Sequence, residues 1–294
     1  MRRSMLFLPG NNANMLINGN CLGADAIIFD LEDAVSPAEK DAARILVRNT
    51  MRYMDFRGCE RIVRINSIDT PYWKADVEAI LPWEPDMFLL PKTGTAADVQ
   101  EADRYITEME EKLGLEPNSV TLMPLIETAL GVENAFAIAT AAMRVKALFL
   151  GAEDLTADLQ CKRTKEGKEI FYARTRLVMA ARAAGVEVYD TPFTDVHDDE
   201  GIQIDAAFAK SLGFSGKASI SPRHVEVINT VFTPTKEEIE YAYEVIDAIE
   251  LAKQQGKGAI SLRGKMIDAP IVARAQRTIA AAEALGLDRR GDHE

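Results

Sequence analysis

Cysteine and histidine are scarce, three of each in 294 residues. Cys21, Cys59 and Cys161 are odd in number and show no Cys-x-x-Cys or Cys/His spacing, so neither a disulfide framework nor a zinc site is suggested. A reducing, cytoplasmic location is expected. Long hydrophobic runs are lacking: nothing approaches the roughly 18 apolar residues of a membrane span. The apolar stretch after Arg2 and Arg3 is cut at Pro9 and Gly10, short of a secretory signal. With 18 Gly and 12 Pro the chain is neither collagen-like nor of low complexity. Positive charge is the minority, 34 basic against 46 acidic residues for a net of -12, which disfavours nucleic acid and anionic membranes as partners. The acids are spread along the chain without an acidic tail and read as a solvated surface.

What is present is apolar material in short pieces. Hydrophobic residues make up 47% of the chain, enough for a sizeable core, and the length implies either two domains or one large α/β barrel. Eight apolar runs recur: SMLFL (4–8), DAIIFD (25–30), RIVRIN (61–66), MFLLP (87–91), TLMPLIE (121–127), KALFLG (146–151), VEVYD (186–190) and KASIS (217–221). Each is too short and too continuous for an amphipathic helix; near-continuous apolar character suits a parallel strand buried on both faces. Between them lie segments with a helical period, such as PAEKDAARILVRNTMRYM and ADVQEADRYITEMEEKL. Alternation of this kind fits a doubly wound sheet or a (β/α)8 barrel, and the eight strands favour the barrel, over residues 1–230.

Residues 231–294 read as a C-terminal helical extension. Thr235 and Glu238 form a capping box, Ile239, Tyr243, Ile246 and Ile249 a stripe, and Gly256 a stop. The stripe suits packing on the chain's own barrel or a subunit contact equally. A loop over 257–270 leads into a last helix from about Ile271 to Ala284.

Catalysis in such barrels sits at the carboxyl ends of the strands. The second run closes on Asp30, Glu32 and Asp33, the third on Arg64 and Asn66, the fourth on Lys92 and the fifth on Glu127. Glu153 and Asp154 follow the sixth, and Asp190 ends the seventh; His197, His224 and His293 fall outside the runs. Carboxylates from separate strands suit a hard cation such as Mg²⁺, bound by one or two carboxylates plus waters and substrate oxygens. Glu127 and Asp154 are the ligand pair this pattern favours. Each acid also has a plainer reading, as an ion-pair partner or as the cap of the following helix. Arg64 and Lys92 are either partners of these acids or cations that recognise an anionic substrate and stabilise an enolate. Lys92 raises a Schiff-base aldolase as well, but Pro91, Thr93 and Gly94 do not describe an apolar pocket around it. PGNN (9–12) suits a phosphate at a helix start or simple capping by Asn.

RRSMLFLPG (2–10), FDLEDAVSPAEKDAAR (29–44), VRIN (63–66), LPKT (90–93), LIETALGV (125–132), GAEDL (151–155) and GKMIDAP (264–270), taken in order, resemble the citrate lyase beta-subunit family. These are acyl-thioester lyases of the HpcH/HpaI aldolase group, and the likeness spans nearly the whole chain. It implies a Mg²⁺-dependent (β/α)8 barrel assembled as a trimer or hexamer. It also implies Glu127 and Asp154 as metal ligands, Glu32 and Asp33 beside the metal's waters, and Arg64 on the substrate carbonyl and thioester oxygen. Lys92 and Glu127 complete the expected substrate contacts. Asp268 is the implied acid/base residue, delivered from a neighbouring subunit, although by composition it is a helix N-cap before Pro270.

The implied reaction is retro-Claisen cleavage of a citryl thioester to oxaloacetate and an acetyl thioester. The acyl group would ride on coenzyme A or on an acyl carrier protein, with companion alpha and gamma subunits. Relatives that use free coenzyme A often carry basic residues after PG, where this chain has Asn11, Asn12, Asn14 and Asn18, which points to the carrier protein. The alternatives are a malyl or citramalyl thioester lyase of the same group, or a non-catalytic subunit that docks the carrier protein.

Overall fold

The computed structural model describes residues 1–56, 58–254 and 260–291, and divides the chain into two compact units. One comprises Arg2–Thr230 and the other Val231–Glu294 together with Met1.

The larger unit is a closed, all-parallel barrel of eight strands: β1 (Ser4–Pro9), β2 (Ala26–Asp30), β3 (Glu60–Arg64), β4 (Met87–Leu90), β5 (Thr121–Ile126), β6 (Ala147–Leu150), β7 (Glu187–Asp190) and β8 (Gly216–Ser219). All eight apolar runs become strands, with their ends shifted by at most two residues. The ring closes where β8 meets β1, with the Lys217 amide donating to the Arg3 carbonyl at 2.9 Å. Gly216 allows that approach, since a β-carbon there would collide with the carbonyl oxygen of Arg2.

Helices fill the crossovers that parallel strands require. Lys40–Tyr53 follows β2 and Ala96–Leu113 follows β4, each on a segment with the 3.6-residue period. Ala96–Leu113 starts on a capping box of Thr95 and Asp98 and stops at Gly114, whose φ of 67° ends the helix in the left-handed region. Phe171–Ala184 and Asp199–Leu212 follow β6 and β7. Among the described residues no helix is long and apolar enough to cross a membrane.

Side chains alternate across each strand, so one set of alternate residues fills the barrel. Ile28, Ile62, Leu125, Phe149, Tyr189 and Ala218 belong to that interior cluster, each at most 2% exposed. Two residues further along the same strands, on the same face by alternation, come Asp30, Arg64, Glu127, Gly151, Thr191 and Ile220. The interior therefore turns polar where the strands end.

In the smaller unit helices Lys236–Gln254 and Ala269–Ala284 pack together. The capping box of Thr235 and Glu238 is formed, the Thr235 amide donating to the Glu238 carboxylate at 2.9 Å and the Glu238 amide to the Thr235 hydroxyl at 3.2 Å. The stripe residues Ile239, Tyr243 and Ile246 pack within this unit, Ile239 and Tyr243 beside Ala282 and Ile246 beside Ala275. Gly256, the expected stop, lies outside the described residues. The segment expected to be a loop contains a hairpin, β9 (Ile260–Leu262) and β10 (Lys265–Ile267). Arg263 and Gly264, with φ of 49° and 77°, are the two turn residues, as right-handed strand twist demands of so short a connection. The last helix starts at Ala269, two residues before the expected Ile271, because Asp268 is its N-cap and accepts the Ile271 amide at 3.3 Å.

Candidate active site

A cavity of about 430 Å³ opens at the carboxyl ends of the strands, lined by Asp30, Arg64, Glu127, Gly151 and Thr191 among others. Asp33, from the loop after β2, and Glu153 and Asp154, from the helix after β6, border the same space, and so do the apolar Phe7, Leu125 and Phe149.

Arg64 crosses the mouth from β3 to β2. Its Nε and Nη2 donate to the two carboxylate oxygens of Asp30 at 2.7 and 2.5 Å, and its Nη1 lies 3.1 Å from Glu32 and 3.6 Å from Asp33. The guanidinium carbon stands 5.1 Å from the Phe7 ring centre, a cation-π contact that orients the plane further. Five carboxylates, those of Asp30, Glu32, Asp33, Glu127 and Asp154, thus share the region with two cations, Arg64 and Lys92.

Lys92 departs from the strand geometry. Met87 and Leu89 face the interior, so alternation sends residue 92 outward, but its φ of 51° is left-handed and breaks the alternation. Its backbone N–H donates to Glu127 at 2.7 Å, while its ammonium group lies 2.8 Å from Glu32 and 3.5 Å from Asp33. Burial opposes the charge on Lys92, but Glu32, Asp33 and Asp154 outweigh it and hold the ammonium group above its ordinary pKa. A Schiff-base nucleophile needs the opposite shift. The side chain borders a neighbouring cavity of about 610 Å³, with Ser67, Thr95 and Thr128, and not the one that holds Arg64.

Burial pushes the Glu127 carboxyl up to about 8; Asp154 and Glu32 add to the rise, and the Lys92 amide and Arg64 oppose it. Burial likewise raises Glu32, against Arg64 and Lys92. Burial pushes Asp33 up too, but Arg64, a hydrogen bond from Glu32 and Lys92 bring it below its ordinary value. An excess of acid in a partly closed cavity is a donor set suited to a divalent cation. Among the described residues no three His, Cys, Asp or Glu form a ready-made ligand cluster. The fit is therefore to a hard cation that takes two carboxylates and completes its shell with water and substrate oxygens. Asp154 lies in the first turn of helix Ala152–Asp158, whose start is tied to the end of β7 by the Ala152 amide donating to the Thr191 hydroxyl at 3.1 Å.

The structure brings Arg64, Glu127, Asp154 and Asp33 to one cavity, with Glu32 and Lys92 joined to it through ion pairs. Asp268 belongs to the smaller unit. Asp190 is not at the mouth: Tyr189 takes the inward position, so Asp190 points out under the helices and pairs with Arg174 at 2.8 Å and Lys217 at 2.6 Å. Asp205 completes that buried ion cluster. Asn12 caps the short helix Ala13–Asn18 by accepting the Met15 amide, in line with the capping reading of PGNN. Sequence reasoning passed over the joint role of Asp30 and the lining by Phe7 and Thr191. Counting by twos from the apolar centre of each strand finds all three.

The HpcH/HpaI aldolase/citrate lyase family profile matches residues 3–222. The citrate lyase subunit beta of Leuconostoc mesenteroides subsp. cremoris is 45% identical over 294 residues, 100% of this chain and 97% of that one. A (3S)-malyl-CoA thioesterase of Cereibacter sphaeroides is 35% identical over 283 residues, 96% of this chain and 95% of the relative. Among solved structures, the Mycobacterium tuberculosis citrate lyase beta subunit complexed with oxaloacetate and magnesium superposes with a TM-score of 0.68 at 30% identity, covering 79% of this chain and 97% of that one. Barrel, strand-end residues and relatives agree: the chain belongs to the HpcH/HpaI aldolase/citrate lyase family.

Proposed function

We propose that this chain is a Mg²⁺-dependent carbon-carbon lyase that cleaves a citryl thioester to oxaloacetate and an acetyl thioester. The observation that carries the reading is the meeting of Glu127, Asp154 and Arg64 around one cavity at the barrel mouth. A full-length 45% identical relative is a citrate lyase beta subunit, and a relative of the same fold binds oxaloacetate and magnesium.

Cleavage needs two things from the site. The hydroxyl oxygen must carry negative charge as the carbon-carbon bond breaks, and the thioester oxygen must then accept the charge of an enolate. Glu127 and Asp154 would hold Mg²⁺, which when bound supplies Lewis-acid stabilisation to the first oxygen. Arg64 serves the second. Asp30 accepts two of its five N–H groups and fixes the guanidinium plane, while Glu32 and Asp33 pair with it at 3.1 and 3.6 Å, so its remaining N–H groups face a substrate oxygen in an orientation already set. Phe7, Leu125 and Phe149 form the apolar part of the wall. Lys92 and Glu32 neutralise one another and hold the loop after β2 against β4.

Asp268, supplied to this cavity by a second copy of the chain in a trimer or hexamer, is the proposed acid/base: its carboxylate takes the hydroxyl proton as the carbon-carbon bond breaks and returns it to the enolate carbon. The proposed carrier of the acyl group is an acyl carrier protein, with alpha and gamma subunits as further partners, and the proposed location is the cytoplasm. The second reading is carbon-carbon cleavage of a malyl thioester; the 35% identical (3S)-malyl-CoA thioesterase supports a malyl thioester as substrate, although its name describes hydrolysis of the thioester bond.

The test is the purified chain with Mg²⁺ and a panel of citryl, malyl and citramalyl thioesters, each on coenzyme A and on carrier protein, with the oxo acid product identified. Oxaloacetate from the citryl substrate is expected. Glyoxylate from the malyl substrate alone would select the second reading, and no cleavage of any substrate would leave the chain as a docking subunit.

A further inference from the structure

Asp30 and Arg64 are directly paired in the parallel register of β2 and β3. Both Asp30 oxygens are doubly engaged. Oδ1 accepts Arg64 Nε at 2.7 Å and the Glu32 amide at 2.8 Å; Oδ2 accepts Arg64 Nη2 at 2.5 Å and the Ala34 amide at 3.2 Å. The residue is 2% exposed. A carboxylate has about four lone-pair sites, so these four bonds leave none for substrate.

From this geometry we infer that Asp30 is the positioning residue of the site. One carboxylate fixes the guanidinium plane of Arg64 across the barrel mouth and, through two amides, ties the loop bearing Glu32 and Asp33 to the same rigid strand. The enolate-stabilising donor and the acid pair are thereby held at one separation. Asp30 acts through Arg64 and the loop and exchanges no proton with substrate, because its acceptor capacity is already used. The Asn side chain of Asp30→Asn still accepts one amide but turns an NH₂ group toward the guanidinium, so the clamp on Arg64 is lost while the residue's volume is kept. This inference rests on the lyase reading above.

The test is a double-mutant cycle on oxaloacetate release at saturating Mg²⁺. Asp30→Asn is expected to lower kcat by about 100-fold, the scale of a small misplacement of a reacting group, with KM much less affected. In an Arg64→Ala background the same change is expected to cost much less, only the share carried through the loop. Millimolar guanidinium ion should restore part of the activity of Arg64→Ala and none of that of the double variant, because only an intact Asp30 can dock the free cation. A merely structural role would give equal losses in both backgrounds and equal rescue, and either result overturns the inference. Should Asp30→Asn not fold, Asp30→Glu, which keeps the charge but displaces it by one methylene, runs the same cycle with the same criteria. If the native chain releases no oxo acid, the lyase reading fails and the clamp is read directly from the ¹⁵N-bound Nε proton of Arg64. That signal should be slow to exchange in the native chain and lost in Asp30→Asn; an unchanged signal overturns the inference.

Discussion

Gly151 has no side chain where Glu127 turns into the cavity: a β-carbon at residue 151 would stand 2.6 Å from Oε2 of Glu127 and 2.8 Å from its β-carbon. Both residues lie just past the ends of neighbouring strands, β5 and β6, and Glu127 is 3% exposed, so the carboxylate has little room to retreat. Gly151→Ala is therefore expected to displace Glu127 and weaken Mg²⁺ binding by about 10- to 100-fold, the range seen when groups that orient metal ligands are lost. Calorimetric titration checks it, and an affinity equal to that of the native chain would show that Glu127 does not depend on this space.

Lys92 is expected to form no covalent adduct with an oxo acid. Its ammonium group sits between Glu32 and Asp33 and stays protonated, which removes the free amine a Schiff base needs. Incubation with oxaloacetate and borohydride should leave the intact mass unchanged and the activity recoverable. A stable mass increase on Lys92 would reverse this assignment.

A pH effect on stability is expected from Glu110, far from the candidate site. Burial pushes its carboxyl up, but Arg144 and the amides of Asn118 and Val120 outweigh that and hold it below its ordinary value. The folded pKa is the lower one, so the contribution is fully present above the unfolded value of about 4.3 and is lost as the pH falls through the folded one. Glu110→Gln should lower the urea midpoint at neutral pH, and the gap to the native chain should narrow below about pH 4. A gap constant from neutral to acid pH would contradict this.

Eight strands were legible because each is buried on both faces and therefore reads as a short, unbroken apolar run. The ring of site residues was legible from strand ends and alternation, which put Arg64 and Glu127 inside. Alternation also excludes Asp190, since Tyr189 of VEVYD takes the interior position. Two features were not legible. Lys92 adopts a left-handed backbone that nothing in PKTG announces, and its links to Glu127 and Glu32 depend on that one torsion. The hairpin of β9 and β10 turns on Arg-Gly, not on the Asn-Gly or Asp-Gly pairs that usually mark so short a turn. Asp268 is a helix cap by local pattern and by local structure alike, so its proposed role in catalysis rests on the family resemblance alone.

Magnesium titration of the native chain beside Glu127→Gln, Asp154→Asn and Asp268→Asn, with turnover measured on the same preparations, tests the central claim most directly. The prediction is that all three variants lose turnover, that the first two lose at least about 10-fold in Mg²⁺ affinity, and that Asp268→Asn binds the metal as the native chain does. Unchanged Mg²⁺ affinity in both Glu127→Gln and Asp154→Asn would contradict it.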